Sequence, residues 1–305
     1  GLVDDDHAAV GAMRSFFDYG RWFDPELTQR GRRAYFALVS WLDHNVGRVL
    51  GALEAAGQLD NTLVIYTSDH GEMAGAHGMR QKGASAYKEN VGVSCFISHP
   101  DIKDATETDL LGTSVDLIPT LLAICGARTG DTSDRWPDLK GVSLASALQG
   151  SPTERDRRGM LMNYTASLAW DVDFVETLFR GQVRGEFTDE EKLQMAAGQS
   201  LSKYACFRGI ADGRYKFARY FKPNQHHQPK DWATLAEHNE LELYDTLSDP
   251  DELRNLASKS ADYKDLILEL NERLNNLIDI EIGIDDGRCY SSRRSYALND
   301  SSGAS

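Results

Sequence analysis

Leu63-Val64-Ile65-Tyr66-Thr67-Ser68-Asp69-His70-Gly71 is the stretch on which the reading of this chain turns. Leu63 to Tyr66 is a short apolar, β-branched run, which predicts a buried strand. The run stops at Thr67-Ser68, and an acid, an imidazole and a glycine follow at once. In open α/β sheets, ligands bind beyond the carboxyl ends of the strands. An Asp and a neutral His at that place offer a metal ion one hard oxygen and one nitrogen. Gly71, Gly75, Gly78 and Gly83 let the next loop fold back over the same spot, where Lys82 could present a fixed positive charge to an anionic substrate. Bland alternatives stand beside each of these. Asp69 could be a helix N-cap, His77 a packed or solvated histidine, and Lys82 a surface lysine.

Working outward, Leu27 to Gly57 carries Tyr35, Leu38, Val39, Leu42, Val46, Val49, Leu50 and Leu53 at three- and four-residue spacing. The pattern predicts a helix with a core-packing stripe, C-capped by Gly57. Val91 to Ile97 predicts a second strand, broken by Pro100. Ser114 caps a helix through Leu117, Leu121 and Cys125. Strand, loop, strand and flanking helices imply an α/β class with a mainly parallel sheet over residues 1–155. The charged, proline-containing segment 151–159 marks the boundary. A smaller α+β subdomain is expected over 156–282. It is built from strands near Met160–Tyr164, Tyr204–Ile210, Tyr215–Phe221 and Leu241–Asp245, a hairpin turn at Ala211–Arg214 and an amphipathic helix over Tyr263–Ile278. Residues 222–240 read as a polar loop carrying His226-His227, and Trp170 to Ser200 as an insertion that shapes or covers the site. Residues 283–305 read as a peripheral tail. Asp4-Asp5-Asp6 beside His7 reads as a solvated loop.

Composition narrows the function classes. A formal net charge of −14 over 305 residues disfavours a nucleic-acid surface. No apolar run approaches the ~20 residues of a membrane helix. Cys95, Cys125, Cys206 and Cys289 are widely separated and form no C-x-x-C, which argues against a zinc knuckle or a dense disulfide framework. Cys95 and Cys125 sit in apolar runs and are expected to be buried thiols. The acidic balance is of a cytosolic style and favours a cytoplasmic over a periplasmic location; export stays open because the sequence starts at Gly1.

T-S-D-H-G-E-M-A-G-A-H-G-M-R-Q-K-G (residues 67–83) followed by A-Y-K-E-N (86–90) resembles the second metal-binding segment of the sulfatase family, within the alkaline phosphatase superfamily. The likeness continues through residues 32–57, S-V-D-L-I-P-T-L-L-A-I-C-G (114–126), D-L-K-G-V-S-L (138–144), D-G-R-Y-K-F-A-R-Y-F (212–221) and E-L-Y-D-T-L-S-D-P-D-E-L-R-N-L-A (242–257). The resemblance implies an alkaline phosphatase-like fold and metal-dependent hydrolysis of sulfate esters. It implies Asp69 and His70 as metal ligands, Lys82 as the lysine that contacts the sulfate, and His77 as a further substrate contact. Calcium is the implied ion, with manganese or zinc favoured by the imidazole. It also implies a formylglycine nucleophile made within C/S-x-P/A-x-R, and no such motif occurs in these residues. The family's first pair of metal-binding acids cannot be placed either. The expectation is therefore the C-terminal part of a sulfatase-like protein, inactive alone and exposing apolar faces, partnered by a missing N-terminal segment or by a second copy. A phosphonate monoester or phosphodiester hydrolase of the same superfamily, and a non-catalytic binding protein for anions, remain alternatives.

Overall fold

A computed structural model describes residues 10–11, 24–102, 107–126, 135–165, 187–188, 190–191, 206–225 and 228–286. The chain packs as two units. One is formed by the described residues of Asp18–Gly83 and Tyr87–Glu107, the other by those of Val3–Phe17, Ala84–Ala86 and Thr108–Ser305. Residues 155 and 156, the expected domain boundary, lie in a short helix of the second unit.

In the first unit, helix α1 (Pro25–Ala55) starts where the sequence asks it to. The Asp24 carboxylate accepts from the Glu26 N–H at 2.8 Å, and Pro25 occupies the first turn, where its missing N–H costs nothing. The stripe expected to be core is not covered: no residue of α1 is buried, and Trp41 is 66% exposed. Strand β1 (Val64–Thr67) pairs with β2 (Cys95–Ser98), Val64 opposite Ser98 and Thr67 opposite Cys95. The short helix α2 (Lys88–Val91) takes up Val91, where the second strand had been expected to begin.

The pairing is antiparallel, which corrects the parallel arrangement expected of this sheet. Parallel neighbours need a long crossover, usually through a full helix. Here α2 is only four residues long, and the loop returns the chain alongside β1. The strand expected to be buried is at best half-buried, and Phe96 opposite Tyr66 is 66% exposed. Cys95 and Cys125, expected as buried thiols, are exposed for the same reason: nothing among the described residues covers their faces.

The second unit has the closed core that the first lacks. After α3 (Leu117–Ile124) and α4 (Glu154–Arg158), strands β3 (Met160–Thr165), β4 (Cys206–Ala211) and β5 (Tyr215–Phe221) form an antiparallel sheet. Helix α5 (Trp232–His238) follows, in a stretch expected to be loop; Asp231 caps it by accepting from the Thr234 N–H at 2.9 Å. Strand β6 (Glu240–Asp245) closes the sheet in the order β3-β4-β5-β6, and α6 (Ser260–Glu281) packs on one face.

Period-2 alternation sends Phe217 and Arg219 to the α6 face and Lys216 and Tyr220 to the other. Ile210, Phe217, Leu243, Ile267, Leu270 and Leu274 form the core beneath α6. Arg155 of α4 is fully buried and bridges Asp116 and Glu281. Burial alone would push its guanidinium pKa down, but the hydrogen bonds and charges of Asp116 and Glu281 outweigh that and raise it. His226, His227, Cys289, the acid trio 4–6, the tail beyond 286 and nearly all of 170–200 lie outside the described residues. No described helix is long and apolar enough to cross a membrane.

Candidate metal and anion site

The loop leaving β1 brings three of the four expected site residues together. His70 places Nδ1 2.8 Å from the Gly71 carbonyl oxygen, which selects the tautomer with the proton on Nδ1 and leaves Nε2 as a lone-pair nitrogen. Lys82 Nζ lies 2.5 Å from that Nε2, as donor to acceptor, and Asp69 Oδ2 is 3.3 Å from the same nitrogen. The Asp69 side chain is 82% exposed. Slight desolvation pushes its carboxyl pKa up, but hydrogen bonds from its own and the His70 backbone N–H and the charge of Lys82 outweigh this and hold it below the ordinary value. The carboxylate is thus ionised at neutral pH, beside a lone-pair imidazole and an ammonium.

The loop is held by residues whose part the sequence alone did not reveal. Glu72 Oε1 accepts from the Gln81 N–H at 2.6 Å and the Ala74 N–H at 3.1 Å, which closes the excursion between His70 and Lys82. Asn90 fastens both ends. Its carbonyl accepts from the Gly71 N–H at 2.9 Å, its Oδ1 accepts from the Gly83 N–H at 3.2 Å, and its Nδ2 donates to the Gly83 carbonyl at 2.8 Å. Gly71 must be glycine, because a Cβ there would stand 1.9 Å from the Glu89 carbonyl oxygen. The only sequence signal for Asn90 was its place at the end of A-Y-K-E-N.

His77, the fourth expected site residue, is buried within the loop. It is 4% exposed, stacks on Tyr87 with ring centroids 3.7 Å apart, and holds Nε2 3.5 Å from Glu89 Oε2. Its backbone takes φ +49°, a left-handed conformation uncommon outside glycine but adopted by His more often than by most residues. In this geometry His77 anchors the loop.

Residues 7–127 match the family model described as Sulfatase. The arylsulfatase of Chlamydomonas reinhardtii is 30% identical over 225 residues, 72% of this chain and 30% of that protein. The chain belongs to the sulfatase family. A structure solved in complex with its substrate D-glucosamine-2-N,6-O-disulfate is 25% identical to this sulfatase-family chain, with a TM-score of 0.57, over 83% of this chain and 41% of the other. The phosphonate monoester hydrolase of Silicibacter pomeroyi shares the fold at 19% identity, with a TM-score of 0.61 over 94% of this chain and 51% of that one. Mixed helix and sheet with these neighbours is the α/β, alkaline phosphatase-like architecture expected from the sequence. The chain spans about 30% of the length of its algal relative and about 41% of the substrate-complex structure.

The donor chemistry suits a divalent cation. Asp69 supplies an ionised carboxylate and His70 a lone-pair nitrogen, but among the described residues no group of three His, Cys, Asp or Glu side chains converges. Two protein ligands are at most half of an ordinary coordination shell.

Proposed function

We propose that this chain contributes the metal-binding and anion-binding half of a hydrolase acting on sulfate esters. The observation that carries the proposal is the convergence of Asp69, the His70 Nε2 lone pair and Lys82 Nζ on one exposed spot beyond β1. Asp69 and His70 would hold a divalent ion, calcium by analogy with the family, or manganese or zinc because an imidazole is a softer ligand. When bound, such an ion supplies charge neutralisation to the sulfate oxygens. Lys82 presents an ammonium to an anionic group and, in the absence of one, rests its proton on His70 Nε2. Since no C/S-x-P/A-x-R occurs in the sequence, the nucleophile is supplied from elsewhere and the chain alone does not turn over.

The test is calorimetric titration of the chain with Ca²⁺, Mn²⁺ and Zn²⁺ separately. Binding that is lost in both Asp69→Asn and His70→Ala supports the reading. Binding unchanged in both, or none in the parent chain, removes it. The imidazole of His70 also suits a phosphonate monoester or phosphodiester hydrolase. An assembly carrying this chain and a nucleophile separates the two readings: faster turnover of an aryl phosphonate than of the matching aryl sulfate favours the second.

A further inference from the structure

Arg208 on β4 and Arg219 on β5 stand directly opposite each other on the face covered by α6. Both are buried. Arg208 uses the Nε–Nη2 edge of its guanidinium to grip Asp285, at 2.9 Å to Oδ2 and 2.8 Å to Oδ1, a side-on bidentate pair. Its Nη1 donates to the carbonyls of Tyr164 and Phe207.

Arg219 is held by the opposite part of its fork. Nη1 donates to Asn271 Oδ1 and, at 2.8 Å, to Asn275 Oδ1. Both amides are oriented by donating Nδ2 to the Pro229 carbonyl, at 2.8 and 2.9 Å. The guanidinium plane is therefore fixed, and its Nε–Nη2 edge, the same edge that Arg208 gives to Asp285, has no acceptor among the described residues although it is sealed from solvent.

Among the described residues, two guanidinium charges face one carboxylate here. Both Asp285 oxygens are committed to Arg208, so one of the two positive charges has no carboxylate of its own among these residues, in a low-dielectric interior. Such a charge is costly unless it is paired and hydrogen-bonded. Burial first, then repulsion from Arg208, push the Arg219 pKa down to about 9 against the pull of Asp285, which still leaves it protonated at neutral pH.

We propose that the Nε–Nη2 edge of Arg219 is a binding site for a small carboxylate anion, seated between β4–β5 and α6 in the second unit. Two parallel N–H donors match the two oxygens of a carboxylate. The local excess of one positive charge selects a monoanion over a dianion such as sulfate. The site is distinct from the Asp69–His70–Lys82 cluster and does not rest on the function proposed for it.

The experiment is overnight equilibrium dialysis of the full chain against radiolabelled acetate, at constant ionic strength. Parent, Lys82→Ala, Arg219→Met and Arg219→Lys proteins are compared, each first checked for native circular dichroism. We expect about one acetate per chain in the parent and in Lys82→Ala. Affinity should fall at least tenfold in Arg219→Met, and comparably in Arg219→Lys, whose ammonium keeps the charge but not the planar fork. Unlabelled sulfate should compete at least tenfold more weakly than unlabelled acetate. No binding in the parent, or equal binding in Arg219→Met, overturns the site. Competition by sulfate as strong as by acetate overturns the charge class. Because Arg219→Lys keeps the charge, retention of full affinity there would overturn the bidentate geometry even if Arg219→Met failed to fold.

Discussion

Asn90→Ala should loosen the loop that carries Lys82 without unfolding the protein. Gly83 is buried, and its N–H and carbonyl are both satisfied by the Asn90 side chain, at 3.2 and 2.8 Å. Removing that side chain deletes two hydrogen bonds worth about 0.5–1.5 kcal/mol each and leaves two buried backbone groups unpaired, for a local cost of about 2–4 kcal/mol. At about 1.4 kcal/mol per decade, local opening becomes roughly 30- to 1,000-fold more frequent. Amide exchange across residues 81–85, followed by mass spectrometry, should accelerate by that factor, while peptides from β4 to β6 exchange as before. Asn90→Asp keeps the acceptor for the Gly83 N–H and loses the donor to its carbonyl, so it should fall between. The bond from the Gly71 N–H to the Asn90 carbonyl survives either change, so the His70 end of the loop should stay protected. Unchanged exchange over 81–85 in a folded Asn90→Ala protein would refute the idea that this amide fastens the loop.

Three further outcomes follow from the same interactions. Arg155→Met strands the buried carboxylates of Asp116 and Glu281. It should cost about 3–5 kcal/mol in urea denaturation, the range for breaking a buried pair; a loss below about 1 kcal/mol would count against the bridge. Glu89 is pushed up by partial burial, but the His77 hydrogen bond, its own backbone N–H and the charges of His77 and Lys88 hold it below its ordinary 4.5. A depressed carboxylate contributes stability that is present above the unfolded pKa and lost as pH falls through the folded one. The advantage of the parent over Glu89→Gln in thermal melts should therefore be full at pH 6 and shrink below about pH 4.5; a constant gap would contradict the pairing. Finally, the bare face of α1 predicts self-association. Sedimentation velocity should show oligomers that Phe36→Glu with Trp41→Glu reduces, and a monodisperse parent monomer would argue otherwise.

What the sequence made legible was whatever local chemistry decides. Asp24-Pro25 opens α1, Asp212 and Gly213 turn the β4–β5 hairpin, and the leucines of α6 meet Ile210, Phe217 and Leu243. The convergence of Asp69, His70 and Lys82 was legible because they are close in sequence and the glycines between them allow a tight return. Strand direction was not, since an apolar run looks the same in either sense. Burial failed wherever the covering layer is not among the described residues: periodicity says which face of α1 is apolar, not that anything lies on it. For His77 the sequence left a packed ring and a substrate contact both open, and Tyr87 and Glu89, ten and twelve residues on, are what the ring packs against. The pair Arg208 and Arg219 was invisible, since eleven residues and a turn separate two positions that only the sheet register makes neighbours.

The incompleteness of the chemistry and that of the packing fall in the same unit, and this constrains the proposed function. The second unit closes its core under α6 and buries the Arg155–Glu281 and Lys216–Glu252 ion pairs. The first has no buried residue on a helix of 31 residues, a β1–β2 pair that is at best half-buried and, among the described residues, two candidate donors where a bound metal ion takes four or more. A soluble partner that brought only a nucleophile would leave the apolar faces bare, and one that covered only the faces would leave the ion under-coordinated. If hydrolysis runs through Asp69, His70 and Lys82, one polypeptide must do both: lay apolar strands or helices against α1 and β1–β2, and deliver acidic ligands and the nucleophile to the end of β1. Metal affinity and self-association should then be coupled. A segment that completes the site should tighten metal binding and abolish oligomers at the same stoichiometry. A segment that does one without the other would separate the covering layer from the chemistry and refute a shared origin.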